Sequence, residues 1–223
     1  MTSVRLAFAS LSLFLFGSFA QAQIVQKKGG YLFLVKYKKG QVIKQNMSMQ
    51  ALGNTKLKSS SQFITKCLDI QKDGVATLEV TVPAVGKTPA KRKKVKVDNH
   101  GKPQGASIDG FSGNFVWPDK PVKVGQSWIG DMNMASPGQG GGMAFKSTYK
   151  LTGIKKINGV KVATISSDMK VSGTYDISGT GIIYVRFSDG QLHSAEFHMA
   201  LAQFSESNTR QQLKLLMTIR TPP

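Results

Sequence analysis

The stretches AEFHMAL (residues 195–201) and QLKLLMTIR (residues 212–220) alternate apolar with polar side chains along most of their length. A period of two is that of a β-strand with one buried face, so the two stretches predict an antiparallel hairpin. Its apolar side would hold Ala195, Phe197, Met199, Leu201, Leu213, Leu215, Met217 and Ile219. Its polar side would hold Glu196, His198, Lys214, Thr218 and Arg220.

The same period recurs through the chain, and no amphipathic helical stretch is found beyond the N-terminal segment. Lys72-Asp73-Gly74, Asn158-Gly159 and Asp189-Gly190 have the composition of hairpin turns. Two longer loops are expected at residues 83–94 (PAVGKTPAKRKK) and 135–144 (ASPGQGGGMA). About twelve strands joined by tight turns predict an all-β fold, a long-stranded antiparallel meander curled into an open barrel or a sandwich.

Part of the sequence is approximately repeated. The pattern K-x-G-Q occurs at residues 38–41 and 123–126, and each copy leads into a stretch ending M-x-M. The turn glycines Gly74 and Gly159 keep the same spacing, and a looser match joins residues 97–107 to 186–195. Two duplicated halves, residues 31–110 and 115–220, are therefore expected, although hairpins also converge on the same turn residues for physical reasons.

The N-terminus has the features of a secretory signal. Residues 1–22 contain one positive charge, an apolar run and the cleavage pattern Ala20-Gln21-Ala22. Cleavage after Ala22 would leave a single β domain, residues 23–223, in the periplasm or outside the cell, with no transmembrane segment. Cys67 is the only cysteine, so no internal disulfide can form, and a buried small side chain is the simplest interpretation of it.

The chain is strongly basic, with a formal net charge of +18. Such a field favours acidic partners. The densest cluster consists of Lys87, Lys91, Arg92, Lys93, Lys94 and Lys96. It would either bind an acidic envelope polymer or protect an exposed edge strand from pairing with other chains. Nucleic acid is not expected as a partner, because no aromatic residues are interleaved for base stacking.

Methionines recur on the strand faces that turn toward the apolar side. Flexible thioethers line surfaces that accept varied apolar ligands, and they also fill irregular cores. A lipid or another amphiphile would contact Met47, Met49, Met132, Met134, Phe197, Met199 and Met217 if these residues line a groove. The alternative is that the same residues fill a closed core.

No catalytic or metal-binding set emerges from the sequence. His193 and His198 point to opposite faces of one strand and His100 lies in a turn, so no metal site and no cofactor are expected. Glu196 and His198 form the only close acid–base pair, on the polar face of a strand. The protein is therefore expected not to be an enzyme.

Four segments together resemble a family of secreted bacterial β-rich proteins of uncharacterised function. They are WPDKPVKVGQSWIGD (117–131), YKLTGIKKINGVKVATI (149–165), the G-x-G of residues 179–181 and SDGQL (188–192). The resemblance implies no activity and no catalytic residues. The long-stranded meander also looks like the half-open barrels of periplasmic lipoprotein carriers.

The sequence therefore predicts an exported, non-enzymatic β-protein that binds an apolar or amphiphilic envelope component in a concave face. The alternative is a structural or interaction module of the cell envelope that is held to polyanions.

Overall fold

The computed structural model describes residues 22–52, 58–82, 90–104, 117–135, 142–172, 176–188, 190, 192–204 and 210–222. This part of the chain is all β and contains no helix, as predicted. The strands are β1 Ala22–Lys27, β2 Gly30–Val35, β3 Val42–Ala51, β4 Lys58–Ile70, β5 Ala76–Val82, β6 Lys91–Val97, β7 Ser127–Ala135, β8 Gly142–Ile157, β9 Val160–Ser172, β10 Asp176–Arg186, β11 Leu192–Phe204 and β12 Arg210–Arg220. The predicted signal segment falls on residues outside the described part, apart from Ala22.

Ten strands form one antiparallel sheet in the order β6-β5-β4-β3-β12-β11-β10-β9-β8-β7. Two meanders, β3 to β6 and β7 to β12, are therefore joined side by side through the β12–β3 ladder. In that ladder Met217 faces Met49 and Ile219 faces Met47, and on the other face the hydroxyls of Ser48 and Thr218 lie 2.8 Å apart. Strands β6 and β7 are the two edges and do not pair with each other, so the sheet stays open.

The period-two pattern of the sequence separates the two faces of this sheet. Along β3, burial alternates from Ile43 to Ala51, and the intervening side chains are exposed or half-buried. The C-terminal hairpin has the predicted facing: Phe197 lies opposite Met217, and Met199 opposite Leu215, with all four side chains buried. One face of the sheet, called here the apolar face, therefore carries the core, and the opposite face is called the outer face.

The predicted hairpin turns at Lys72-Asp73-Gly74 and Asn158-Gly159 are present, and Asp189 of the third lies outside the described part of the chain. The β8–β9 connection is the two-residue turn Asn158-Gly159, with φ of 48° and 80°. Positive φ at both central residues gives the type I′ geometry that matches the twist of the flanking strands. Gly74 and Gly190 also have positive φ, at 87° and 64°.

The first K-x-G-Q turn is fastened to the strand that follows it in the sheet. The Lys38 N–H donates to Gln41 Oε1 at 3.1 Å. The Gly40 N–H donates to the Cys67 carbonyl at 2.9 Å, and the Cys67 N–H donates back to the Gln41 carbonyl at 2.9 Å. The β4–β5 register then shifts between Cys67 and Asp69.

The second K-x-G-Q turn makes the same bonds. The Lys123 N–H donates to Gln126 Oε1 at 2.7 Å. The Gly125 N–H donates to the Leu151 carbonyl at 2.7 Å, and the Leu151 N–H donates to the Gln126 carbonyl at 3.1 Å. Here too the next ladder shifts register, between Leu151 and Gly153. The two turns are thus equivalent in local geometry, and descent from one duplicated unit remains a prediction.

The hairpin of β1 and β2 forms a separate two-stranded sheet. Tyr31 and Val122 exchange backbone hydrogen bonds of 2.8 and 3.0 Å, and the Val35 N–H donates to the Asn99 carbonyl at 2.6 Å. At Gly30 a Cβ would collide with the Val122 carbonyl, so only glycine allows this approach. Ile24, Phe33 and Val35 of the hairpin are buried in the core.

Both predicted loops are shorter than expected. Residues 91–94 belong to β6, an edge strand, and an edge strand tolerates consecutive cations because it can leave them in solvent. The predicted 135–144 loop also overlaps the end of β7 and the start of β8. The described residues contain no helix long and apolar enough to cross a membrane.

Candidate binding surfaces

The methionines of the predicted groove come together on the apolar face. Met47, Met49, Met199, Met217 and Phe197 lie on the adjacent strands β3, β12 and β11, and all five are 0–6% exposed. The side chains of Met132 and Met134 lie outside the described part; their backbones pair with Phe145 and Met143. The five described residues form one continuous apolar wall, which in this structure is covered.

An aromatic cluster that was not expected from the sequence joins the hairpin to β7 and β8. The ring of Phe33, on β2, stacks on Trp117 with centroids 5.1 Å apart and lies 5.9 Å from Trp128. Trp128 in turn stacks on Tyr149 at 5.6 Å. Phe33 is fully buried, so these rings hold the hairpin by side-chain packing. The apolar run YLFLV (31–35) could have marked this strand as part of the core, but not the aromatic partners of Phe33.

Three buried polar atoms on or beside the apolar face have no hydrogen-bond partner in the described part of the chain. They are Tyr37 Oη, Gln45 Nε2 and Thr221 Oγ1. Gln45 is 4% exposed and lies on β3 between buried apolar residues, and Thr221 follows Arg220, whose partner on β3 is Asn46. Burial raises the pKa of Tyr37 well above its ordinary value, and the nearby Cys67 and Asp98 act in the same direction. A polar atom buried without a partner costs free energy, so a water or the polar end of a ligand would be stabilised here.

The predicted basic cluster is split by the strand geometry of β6. Arg92, Lys94 and Lys96 project from the outer face and are exposed, whereas Lys93 is half-buried and engaged in a contact. The side chain of Lys91 and the whole of Lys87 lie outside the described part. The cluster therefore contributes three exposed cations to one surface.

Two lysines far away in the sequence extend this surface. The register places Arg92 opposite Thr81, Thr81 opposite Ile64 and Ile64 opposite Lys44. A neighbouring row runs from Lys94 through Glu79 to Lys66. We call five of the exposed cations of these four strands the basic face: Lys44, Lys66, Arg92, Lys94 and Lys96; a sixth, Lys58, lies apart from them at the start of β4. Only the strand register reveals Lys44 and Lys66 as members.

A second outer surface, on β8 to β11, is polar but not basic. A depression of about 560 Å³, called here the outer depression, is lined by side chains that include Thr148, Ser166, Asp168, Thr180, Glu196 and His198. The Glu196–His198 pair noted in the sequence lies here, with Oε1 and Nε2 3.0 Å apart and both side chains more than half exposed. The described residues hold no group of three or more His, Cys, Asp or Glu placed to bind a metal.

Cys67 is buried under the first K-x-G-Q turn. Burial raises the pKa of its thiol, while a backbone hydrogen bond of Asp69 and the charge of Lys39 act in the opposite direction. A thiol with a raised pKa and no exposure is unreactive, as the sequence interpretation expected.

Comparison with known proteins finds similarity among solved structures. No family model matches the chain, and no curated protein matches it. Among solved structures, the chain is similar to the hypothetical lipoprotein YmcC from Escherichia coli (K12), with a TM-score of 0.33 and 11% sequence identity. The match covers 80% of this chain and 87% of that protein.

Proposed function

We propose that this protein is a non-catalytic binding module of the cell envelope, and that it binds an acidic envelope polymer through the basic face. The observation that carries the proposal is the charge of that face: five exposed cations outnumber two carboxylates. Glu79 lies between Lys66 and Lys94, and Asp69, which is paired with Lys39, lies in the row that leads through Thr77 to Lys96.

The spacing of the cations suits a linear polyanion. Strands lie about 4.8 Å apart, and residues two apart on one face lie about 7 Å apart, so the basic face spans roughly 15 Å in each direction. Several anionic groups of one polymer chain could therefore be neutralised at once. Long-range attraction from the net charge of +18 would add to the rate of encounter.

The proposal is tested by the salt dependence of binding to polygalacturonate, a polymer of acidic sugars. Arg92, Lys94 and Lys96 are changed together to Gln. Each lost contact removes salt-sensitive affinity, so the variant should bind more weakly at low salt and its affinity should fall less steeply as salt rises. Unfolding stability should change by less than about 0.5 kcal/mol, because the three side chains are exposed.

A matched control separates this face from net charge alone. Lys146, Lys156 and Lys170 are exposed on β8 and β9, and changing them to Gln removes the same formal charge. The control variant should keep the salt dependence of the unchanged protein. Equal effects from the two triple variants would mean that the basic face has no special role.

A second candidate function is the binding of an amphiphile against the apolar face. It is supported by the hairpin, which covers this face as a separate sheet, and by the unpartnered polar atoms of Tyr37 and Gln45. Apolar walls with a few polar groups are typical of lipid sites. Access would require the packing over the methionine wall to open, because its five described side chains are buried.

The test of this second function is a fatty-acid probe whose fluorescence rises in an apolar environment. Met199→Lys should abolish binding, and high salt should leave binding intact because apolar burial is not screened. Because Met199 is buried, the fold of Met199→Lys is checked by circular dichroism before its probe binding is compared with that of the unchanged protein. Met199→Ala serves as the milder variant. If the unchanged protein does not bind the probe, the amphiphile function is refuted.

A further inference from the structure

The outer depression is used by neither function above. Strand β10 has glycine at two neighbouring core-facing positions, Gly179 and Gly181. A Cβ at Gly181 would collide with the ring of Phe197, and one at Gly179 would lie 2.5 Å from the His198 carbonyl oxygen. The side chains of Phe197 and Met199 on β11 therefore lie directly over the β10 backbone on the core side. The outer face is indented along the same strand, at Thr180 and Ile182.

The strand register arranges the lining of the depression in two rows. The first row runs Thr148, Asp168, Thr180 and His198 across β8 to β11. The second runs Lys150, Ser166, Ile182 and Glu196 across the same strands. Neighbours within a row are about 4.8 Å apart. Three hydroxyls, two carboxylates, one imidazole and one ammonium group therefore lie within a small area as hydrogen-bond donors and acceptors, with Ile182 among them.

Several of these groups are open to a ligand. Asp168 is exposed and has no ion-pair partner among the residues that the structure describes. Ile182 is 44% exposed at the centre of the second row and offers an apolar contact. The volume of about 560 Å³ lies within the range of about 300 to 1,000 Å³ that small-molecule sites occupy.

We infer that the outer depression binds a neutral oligosaccharide. A sugar presents hydroxyls that donate and accept hydrogen bonds, together with apolar C–H faces, and the two rows offer partners for both. The two carboxylates, Asp168 and Glu196, outnumber the single lysine, Lys150, so an acidic sugar is disfavoured here. A peptide would find one exposed apolar contact, Ile182, in a lining that is otherwise polar. The site is separate from the basic face and does not rest on it.

The inference is tested by titrating the isotope-labelled protein with cellotriose, a neutral trisaccharide, and following its backbone amide signals by NMR. Shifts should concentrate at residues 148, 166–168 and 180–182. Thr180→Val keeps the shape and the strand propensity but removes one hydroxyl, and it should weaken binding about five-fold. Asp168→Asn replaces a charged acceptor and should weaken binding about ten-fold.

Thr81→Val is the matched control. Thr81 is also an outer-face threonine, but it lies on β5 beside Arg92, so this change should leave cellotriose affinity unaltered. Trigalacturonate, an acidic trisaccharide of similar size, should not shift the signals of the depression. The inference is overturned if cellotriose causes no localised shifts, or if Thr180→Val and Thr81→Val behave alike. The Arg92, Lys94 and Lys96 triple variant should bind cellotriose normally, so failure of one site does not imply failure of the other.

Discussion

Removing the ring of Phe33 should release the β1–β2 hairpin from the sheet. The side chain is fully buried and contacts the rings of Trp117 and Trp128. Truncation of a buried phenylalanine to alanine costs about 3–5 kcal/mol, because transfer energy is lost and a cavity is left. We expect Phe33→Ala to lower the free energy of unfolding by about 4 kcal/mol, which lowers the melting temperature by roughly 10 °C in a chain of this length.

The assay can use the natural fluorescence of the protein. Trp117 and Trp128 are the only two tryptophans, and both adjoin Phe33, so their emission reports on this contact. Urea unfolding of Phe33→Ala should show the lower stability, with emission shifted to the red before unfolding begins. Phe33→Leu, which keeps most of the volume, should cost less than about 1.5 kcal/mol. A loss below about 1 kcal/mol in Phe33→Ala, with unchanged emission, would refute the view that packing of this ring holds the hairpin.

Three further predictions address the core, the turns and a buried hydroxyl. Met217→Ala should cost about 2–4 kcal/mol in urea unfolding, because Met217 is 1% exposed between Phe197 and Met49; a loss near zero would favour an open groove over a filled core. Gly40→Ala and Gly125→Ala should destabilise the protein by similar amounts, about 1 kcal/mol each, because both have positive φ and make equivalent bonds; clearly unequal losses would contradict the equivalence of the two turns. Burial raises the pKa of Tyr149 to about 12, although a hydrogen bond with Ser147 acts in the opposite direction. The stability that the buried neutral phenol contributes is therefore complete below about pH 10 and is lost as the pH rises through about 12. Tyr149→Phe should reduce this loss of stability at alkaline pH, as measured by phenolate absorbance and by unfolding.

Local patterns in the sequence predicted the all-β fold, the facing of the C-terminal hairpin and the Asn158-Gly159 turn correctly, but not the strand at residues 91–97. The C-terminal hairpin has the expected facing because a period of two leaves one arrangement that buries Phe197 and Met217 together. Asn158 and Gly159 form the expected turn because few residues tolerate positive φ.

Long-range pairing was not predictable in the same way. Strand β12 pairs with β3, so that Ser48 meets Thr218 across 170 residues of chain. The local sequence of neither strand determines its pairing partner, since any strand with an apolar face would fit. The same limit explains why Lys44 and Lys66 were missed as neighbours of Arg92 and Lys94. The separate packing of β1 and β2 depends on Trp117 and Trp128, which follow much later in the chain.

Composition misled the interpretation of residues 91–94 for a physical reason. A run of cations costs little on an edge strand, where alternate side chains reach solvent and the backbone pairs on one side only. The sequence analysis weighed edge protection against polyanion binding for this cluster, and the edge position of β6 is compatible with both. The two roles are separated by Lys44 and Lys66, which lie on inner strands with no edge to protect.

The two proposed sites lie on different meanders and on the same outer face. The basic face occupies β3 to β6, and the outer depression occupies β8 to β11, with β12 between them. Changes at exposed positions that share no partners usually add independently. The core lies on the opposite face, so substitutions at Arg92 or Thr180 leave its packing in place. A polymer with acidic and neutral sugars could therefore bind both sites at once. Once one site is occupied, binding at the second is intramolecular, so the polymer would bind more tightly than an acidic or a neutral oligosaccharide alone.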